Sequence, residues 1–371
     1  MPHSIQNNIN YTFKMLYVIA IFMIVDGHIG TYDYLTMNGL LKYQNYHIAL
    51  FCFTSGYFLN LNKTHKEYYT SKLTKLIIPL YWWTLIYAII CHILNNYFNF
   101  NIGSTINFYN LICAPLTDGH QFIYNMGSWF LAPLFLLQII SYTILKPFQN
   151  TNYKNLSIIF FIFIFIISAI TLPHFAEHQG KKDFILLTYR TLYFFPAFSL
   201  GFLYRHLLEK HDKLSTPLYL FIILLIHCII ITQYPMYNHT PSWLNDIAVS
   251  PFIIYSICFL SIFFWLRIAK VLSPLVKQSK TLTIISNNTF DIMMHHFIGF
   301  MFIKALFAQI FNNFDTYLYH NNIWYYHFPY HENISAWIYI SITLVIALLI
   351  GFTFRQFYGI IRKYYEVLLK K

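Results

Sequence analysis

The sequence predicts an all-α protein, a polytopic membrane bundle of about ten transmembrane helices with both termini in the cytoplasm. Three observations predict it. Hydrophobic residues make up 57% of the 371 positions and charged residues only 10%, with a mean hydropathy of +0.50, whereas soluble domains carry roughly 25% charge. Apolar stretches of about 20 residues, enough to cross about 30 Å of hydrocarbon, recur from one end of the chain to the other. The basic residues, finally, gather in alternate connecting segments, the asymmetry that orients membrane helices.

Taken in order, the expected spans lie at about 14–30, 44–61, 76–95, 128–147, 156–173, 184–205, 216–234, 247–268, 287–311 and 335–355. The first follows a short polar stretch, Met1 to Phe13, without a small-residue cleavage site, so it is expected to stay as an anchor. With the N-terminus inside, the inner segments and the tail hold 19 of the 24 Lys and Arg residues, while the outer loops hold only Lys42, Lys181 and Lys182. The net charge of +11 is thereby read as membrane topology, not as a nucleic-acid surface. The outer loops are Asn-rich, with aromatic residues near helix ends that suit the membrane interface, and no separate soluble domain remains. The cysteines Cys52, Cys91, Cys113, Cys228 and Cys258 are scattered, four of them inside apolar runs, with no Cys-x-x-Cys and no histidine at ligand spacing.

An ionisable residue inside a span costs several kcal/mol (about 3 or more) unless paired or solvated, so the few that occur are candidates for function. They are Asp26, His28, His92, Arg190, His227, Asp291, His295, His296 and Lys304. His28 lies toward the outer half of the first span, where a neutral imidazole can take a proton from an alcohol, although the position also suits a plain interfacial histidine. Lys14 falls on nearly the same helix face at the inner end and doubles as an ordinary positive-inside anchor. Asp291 and His295 are four apart and share a face, as a proton relay or a mutually satisfied pair would. No metal site is expected. Adjacent histidines diverge on a helix, and Pro329 breaks the spacing between His327 and His331. Lys72 and Lys75, three apart at a helix start, suit a phosphate-bearing cytoplasmic donor or, equally, lipid headgroups.

Several local patterns then combine. Ile24-Val25-Asp26-Gly27-His28 ends the first span, Phe53-Thr54-Ser55-Gly56-Tyr57-Phe58-Leu59 ends the second, and Lys72-Leu73-Thr74-Lys75 with Leu76 to Pro79 opens the third. Ser128-Trp129-Phe130-Leu131 and Asn288 to His296 follow. In order, spacing and topological position, these pieces resemble the acyltransferase 3 family of bacterial membrane acyltransferases, including its polysaccharide O-acetylase branch. The resemblance covers about residues 10–355 and makes 1–371 one transmembrane domain. It implies a bacterial inner-membrane enzyme with no bound cofactor, which takes acetyl from cytoplasmic acetyl-CoA and passes it to a sugar hydroxyl of a surface or lipid-linked glycan. It further implies that His28 is catalytic, that Lys72 and Lys75 meet the acyl-CoA, and that Asp26, Ser55, Tyr57, Trp129, Asp291 and His296 belong to the cavity. One position departs from the pattern: the family commonly has Arg eleven residues before the histidine, where this chain has Tyr17. Lys14, one turn earlier, is expected to substitute, without the bidentate fork of arginine. Two other readings of the same topology are a glycan exporter without acyl transfer and a proton-coupled transporter resting on Asp26, Asp291 and His296; no repeated, broken spans favour either.

Overall fold

A computed structural model describes residues 9–28, 41–100, 102–234, 239–244, 249–310 and 332–368. The Lys304 side chain, His327, Pro329 and His331 lie outside the described residues. The elements are α1 (Tyr11–Gly27), α2 (His47–Tyr57), α3 (His65–Phe98), α4 (Ile123–Phe148), α5 (Tyr153–Phe175) and α6 (Phe184–Leu203). They continue with α7 (Thr216–Gln233), α8 (Pro251–Gln278), α9 (Lys280–Asn287), α10 (Thr289–Ile310) and α11 (Glu332–Leu368). No strand occurs among the described residues.

Among the described residues, six helical stretches are long and apolar enough to cross a membrane: α3, α4, α5, α7, α8 and Trp337–Phe357 of α11. The remaining expected spans are also helical but shorter or more polar. α1 has 17 residues and α2 only 11, the latter about 16 Å at 1.5 Å per residue, and α6 carries Arg190 among its apolar residues. Local chemistry sets the starts of these helices. Asn10 accepts from the Phe13 amide at α1, Thr64 and Glu67 form a capping box at α3, and Asp183 accepts from the Ile185 amide at α6.

α1 is the central element, with Val18, Ile21, Met23 and Val25 buried against neighbours that include α2, α8 and α10. α5 and α7 are peripheral. Only 11% of the apolar window of α7 is buried, and Phe221, Leu225 and Ile229 on it are exposed, as a face turned to lipid requires.

Polar contacts gather at two levels. Near one, Lys146 donates to the Leu61 and Lys63 carbonyls, Arg205 donates to the Tyr57 carbonyl, Asp212 pairs with Arg267 and Lys270, and Arg355 pairs with Asp291. Near the other, Arg190 binds the carbonyls of Thr117, Asp118 and Ser242. Arg190 and Arg205 lie at opposite ends of α6 and its continuation, about 22 Å apart at 1.5 Å per residue. The expected inner segments supply the first level and the expected outer loops the second.

α2 approaches α6 closely through two glycines. A Cβ on Gly56 would stand 1.9 Å from the Phe198 carbonyl oxygen, and one on Gly201 would stand 1.9 Å from that of Phe53. Both obstacles are backbone, which cannot swing aside, and small residues at such crossings are how membrane helices gain contact without a hydrophobic driving force. Gly201→Ala is therefore expected to cost at least the roughly 1–3 kcal/mol of an overpacked core, read as loss of monodisperse protein and a lowered Tm in detergent. Wild-type behaviour of Gly201→Ala would mean that the two helices are not packed this tightly.

Candidate active site

His28 caps the C-terminal end of α1, and His296 lies in the second turn of α10, where their rings meet with centroids 5.0 Å apart. The two nitrogens of each ring have distinct tasks. Nδ1 of His28 is 2.6 Å from the Ile24 carbonyl oxygen, and Nδ1 of His296 is 2.7 Å from that of Met293. A carbonyl oxygen only accepts, so in the neutral ring Nδ1 carries the proton and Nε2 is left with the basic lone pair. Nε2 of His296 is buried and has no hydrogen-bond partner among the described residues. Phe297 meets His28 edge-on at 4.8 Å and Phe300 meets His296 at 5.8 Å, so aromatic side chains screen the pair. Gly127 makes room for it: a Cβ there would lie 2.8 Å from Cε1 of His296 and 2.4 Å from the Met293 carbonyl oxygen.

One turn before His296, Met293 lines a cavity of about 280 Å³ that α1, α2, α3, α4 and α10 enclose. Tyr17, Ser55, Lys72, Gln138 and Thr289 supply its polar groups, and Phe58 and Phe130 are among its apolar walls. The Lys72 ammonium sits 5.1 Å from the centre of the Tyr68 ring, which stacks on Tyr142 at 3.9 Å. Oε1 of Gln138 is buried without a partner among the described residues, an unmet acceptor capacity at the cavity wall. From the level of Tyr17 to that of His28, α1 rises about 16 Å. The site thus joins a cavity with a cation in its wall to a histidine pair that lies one turn beyond Met293 along α10.

The acyltransferase domain model of the acyltransferase 3 family matches residues 11–358, nearly the whole chain. This chain belongs to the acyltransferase 3 family. Neither the curated proteins nor the solved structures give a match. As a membrane acyltransferase it works at a lipid bilayer with an acyl donor and an acyl acceptor.

The acyltransferase brings together some of the residues expected from its sequence and separates others. His28 joins His296, and Lys72 joins Ser55. Tyr17, at the position where the family commonly has arginine, shares the cavity with Lys72. Lys14, the expected substitute, is half-buried one turn away and is not among the lining residues. Lys75 is exposed and Lys72 half-buried. The chain makes a π turn over Leu73–Ile77, where each residue advances less than the 100° of an α-helix, so two lysines three apart no longer face the same way. Asp26 is buried on α1, two residues before His28.

Three expected cavity residues have other work. Tyr57 donates its hydroxyl to the Glu209 carboxylate and faces the Arg205 guanidinium. Trp129 covers Arg190, whose guanidinium carbon is 4.6 Å from the ring centre. Asp291 pairs with Arg355, and Gly351 allows that approach, because a Cβ there would run into the carboxylate. The relay or pair between Asp291 and His295 is therefore not formed. His295 instead contacts the Tyr87 hydroxyl at 2.6 Å and packs edge-on against Trp83. The helix spacing is as expected, but partners on α3 and α11 outcompete the neighbour on the same helix. Sequence reasoning missed Gln138, Tyr87 and Gly127, none of which stands out in an apolar run; only the position of Tyr17 carried a signal. Among the described residues no group of three or more His, Cys, Asp or Glu side chains converges on a metal position.

At the other level, Arg190 is fully buried and spreads its fork over three backbone carbonyls, Thr117 at 3.0 Å, Asp118 at 2.9 Å and Ser242 at 2.5 Å. His120 bridges Asp118, at 3.1 Å, and the Trp243 ring, stacked at 4.3 Å. Burial pushes the His120 imidazole down to about 4, opposed by the Asp118 carboxylate, which on balance is itself held below its usual range by His120, Lys182 and Arg190 although burial opposes this.

Proposed function

We propose that this membrane acyltransferase transfers an acetyl group from cytoplasmic acetyl-CoA to a sugar hydroxyl of a surface polysaccharide or lipid-linked glycan. The proposal includes ten membrane crossings, both termini in the cytoplasm and residence in a bacterial inner membrane. The observation that carries it is the histidine pair, in which hydrogen bonds from Nδ1 to backbone carbonyls leave Nε2 as the base. The strong bias of Lys and Arg toward one set of segments supports the orientation.

The donor enters at the basic level. Lys72 meets its phosphates, with Lys75 and Lys14 contributing to the surrounding positive field. The thioester arm follows the cavity past Tyr17, Ser55 and Gln138, and the roughly 16 Å rise along α1 carries the acyl group to His28. Nε2 of His28 accepts the proton of the acceptor hydroxyl as its oxygen bonds to the thioester carbon. Collapse of the tetrahedral intermediate breaks the carbon–sulfur bond, and the imidazolium returns its proton to the departing thiolate. The sugar leaves as an ester and CoA as the free thiol, so atoms and charge balance. His296 packs against His28 and holds a second basic lone pair beside it, and the aromatic edges of Phe297 and Phe300 keep competing water away from the thioester.

The test is the glycan itself. Mass spectrometry of surface and lipid-linked glycans from cells with and without the gene is expected to show loss of acetyl groups at unchanged glycan export. Normal acetylation without the gene would overturn the reading, and loss of export with acetylation intact would mark a transporter.

A further inference from the structure

The 280 Å³ cavity at Lys72 has room for a slender arm but not for a whole nucleotide thioester, since pockets for compact ligands begin at about 300 Å³. A second cavity, of about 400 Å³, opens on the other side of Phe58, which lines both. It lies at the same level as Lys63 and Lys146, between the residues that follow α2, the start of α5 and the continuation of α6. Asn60, Asn62, Tyr153, Arg205 and His206 give it a polar lining that nothing in the proposed transfer step uses.

Its chemistry is specific. Arg205 spends Nη1 on the Tyr57 carbonyl at 3.0 Å, and its other donors make no hydrogen bond among the described residues. The nearby Glu209 carboxylate is taken up by the Tyr57 hydroxyl and forms no ion pair with Arg205. A planar cation with free donors is the side chain best matched to a phosphate. Beside it, His206 stacks on Tyr153 with ring centroids 4.7 Å apart and planes within 16°. Burial, aided by the Arg205 charge, pushes the His206 imidazole down to about 4, so it is neutral at pH 7 and acts as a flat aromatic surface. Asn60 and Asn62 are exposed at the rim and offer both donors and acceptors. A phosphate-binding guanidinium next to a neutral aromatic stack and carboxamides matches a nucleobase joined to phosphates. A lipid headgroup supplies the phosphate but nothing for the stack.

We propose that this second cavity binds the nucleotide end of the thioester donor, with the ribose phosphate on Arg205 and the adenine ring against Tyr153 and His206, while the diphosphate reaches toward Lys72 and the acyl-bearing arm passes Phe58 into the Lys72 cavity. The assignment rests on the acyl-CoA reading of the transfer. It also makes Phe58 the residue around which the donor bends.

The test uses full-length protein in nanodiscs of zwitterionic lipid and compares affinities for CoA and for pantetheine, which lacks the nucleotide. Arg205→Gln is expected to weaken CoA binding about ten-fold or more, the usual loss for a hydrogen bond to a charged group, and to shrink the CoA-to-pantetheine affinity ratio by the same factor. Tyr153→Leu should lower the ratio as well, and Arg205→Lys should fall between wild type and Arg205→Gln. Thermal unfolding of each variant separates lost binding from lost fold, and Tyr153→Leu leaves the Arg205 contact to Tyr57 in place. Wild-type CoA affinity in both Arg205→Gln and Tyr153→Leu would overturn the assignment and leave the donor reading standing. A wild-type protein that binds neither CoA nor acetyl-CoA would overturn both. If Arg205→Gln instead lost only its retention of phosphatidylglycerol from mixed nanodiscs, the cavity would be a lipid headgroup site and the assignment would fall.

Discussion

Replacing His28 by alanine is expected to reduce acetyl transfer by about two to four orders of magnitude, the usual contribution of a positioned general base. The protein should remain folded and inserted. His28 lies at the very end of α1 and is only partly buried, so its removal leaves no large void in the core and no interrupted helix. The comparison with His296→Ala is informative. His296 is fully buried and packed by Gly127, Phe297 and Phe300, so its loss should lower both activity and Tm, whereas His28→Ala should lower activity alone. Labelled acetyl-CoA supplied to proteoliposomes, with thermal unfolding of the same preparations, separates the two. Undiminished transfer by His28→Ala would remove the base from the mechanism.

The second large effect is structural. Arg190→Met is expected to destabilise the protein by several kcal/mol, since each buried carbonyl left without a donor costs about 1–3 kcal/mol and Arg190 serves those of Thr117, Asp118 and Ser242. Its stacking on Trp129 is lost as well. Arg190→Lys should recover only part, because one ammonium cannot span three acceptors held by a planar fork. The consequence should appear first as protease cleavage near residues 102–122 and 239–244, with a lower Tm. Resistance equal to wild type would show that these segments hold together without the guanidinium. Acid should act on the same cluster. His120 has its pKa lowered from an ordinary 6.5 to about 4 in the fold, so the unfolded chain binds more protons between those values. Stability contributed here is full above pH 6.5 and declines as the pH falls toward 4.

Much of the site was visible before any tertiary contact. His28 stood out because an imidazole at the end of an apolar run is costly, and Lys72 because a cation beside an apolar span suits a phosphate, although α3 starts at His65 and so puts Lys72 inside the helix and not at its expected start. Arg190 stood out for the same reason as His28, but nothing local distinguishes a residue that holds backbone together from one that performs chemistry. Lys75 shows a different limit. Its pairing with Lys72 assumed an unbroken α-helix, and the π turn over Leu73–Ile77 leaves no mark in hydropathy.

By itself, the sequence determined the membrane class, the helical architecture and the family, because continuous apolar runs of about 20 residues satisfy their backbone in lipid as helices, whereas barrel strands need short alternating segments. The tertiary structure alone decided which faces of those helices meet. In lipid every face is apolar, so the amphipathic stripe that marks the inside of a soluble helix is missing. Hence the meeting of His28 with His296, the placing of Tyr17 beside Lys72, and the choice of Arg355 over His295 by Asp291 were legible only in the packed molecule. Close approaches at Gly56, Gly127 and Gly201, where no side chain is tolerated, fix the rotation of each helix and with it the positions of the groups that carry the proposed chemistry.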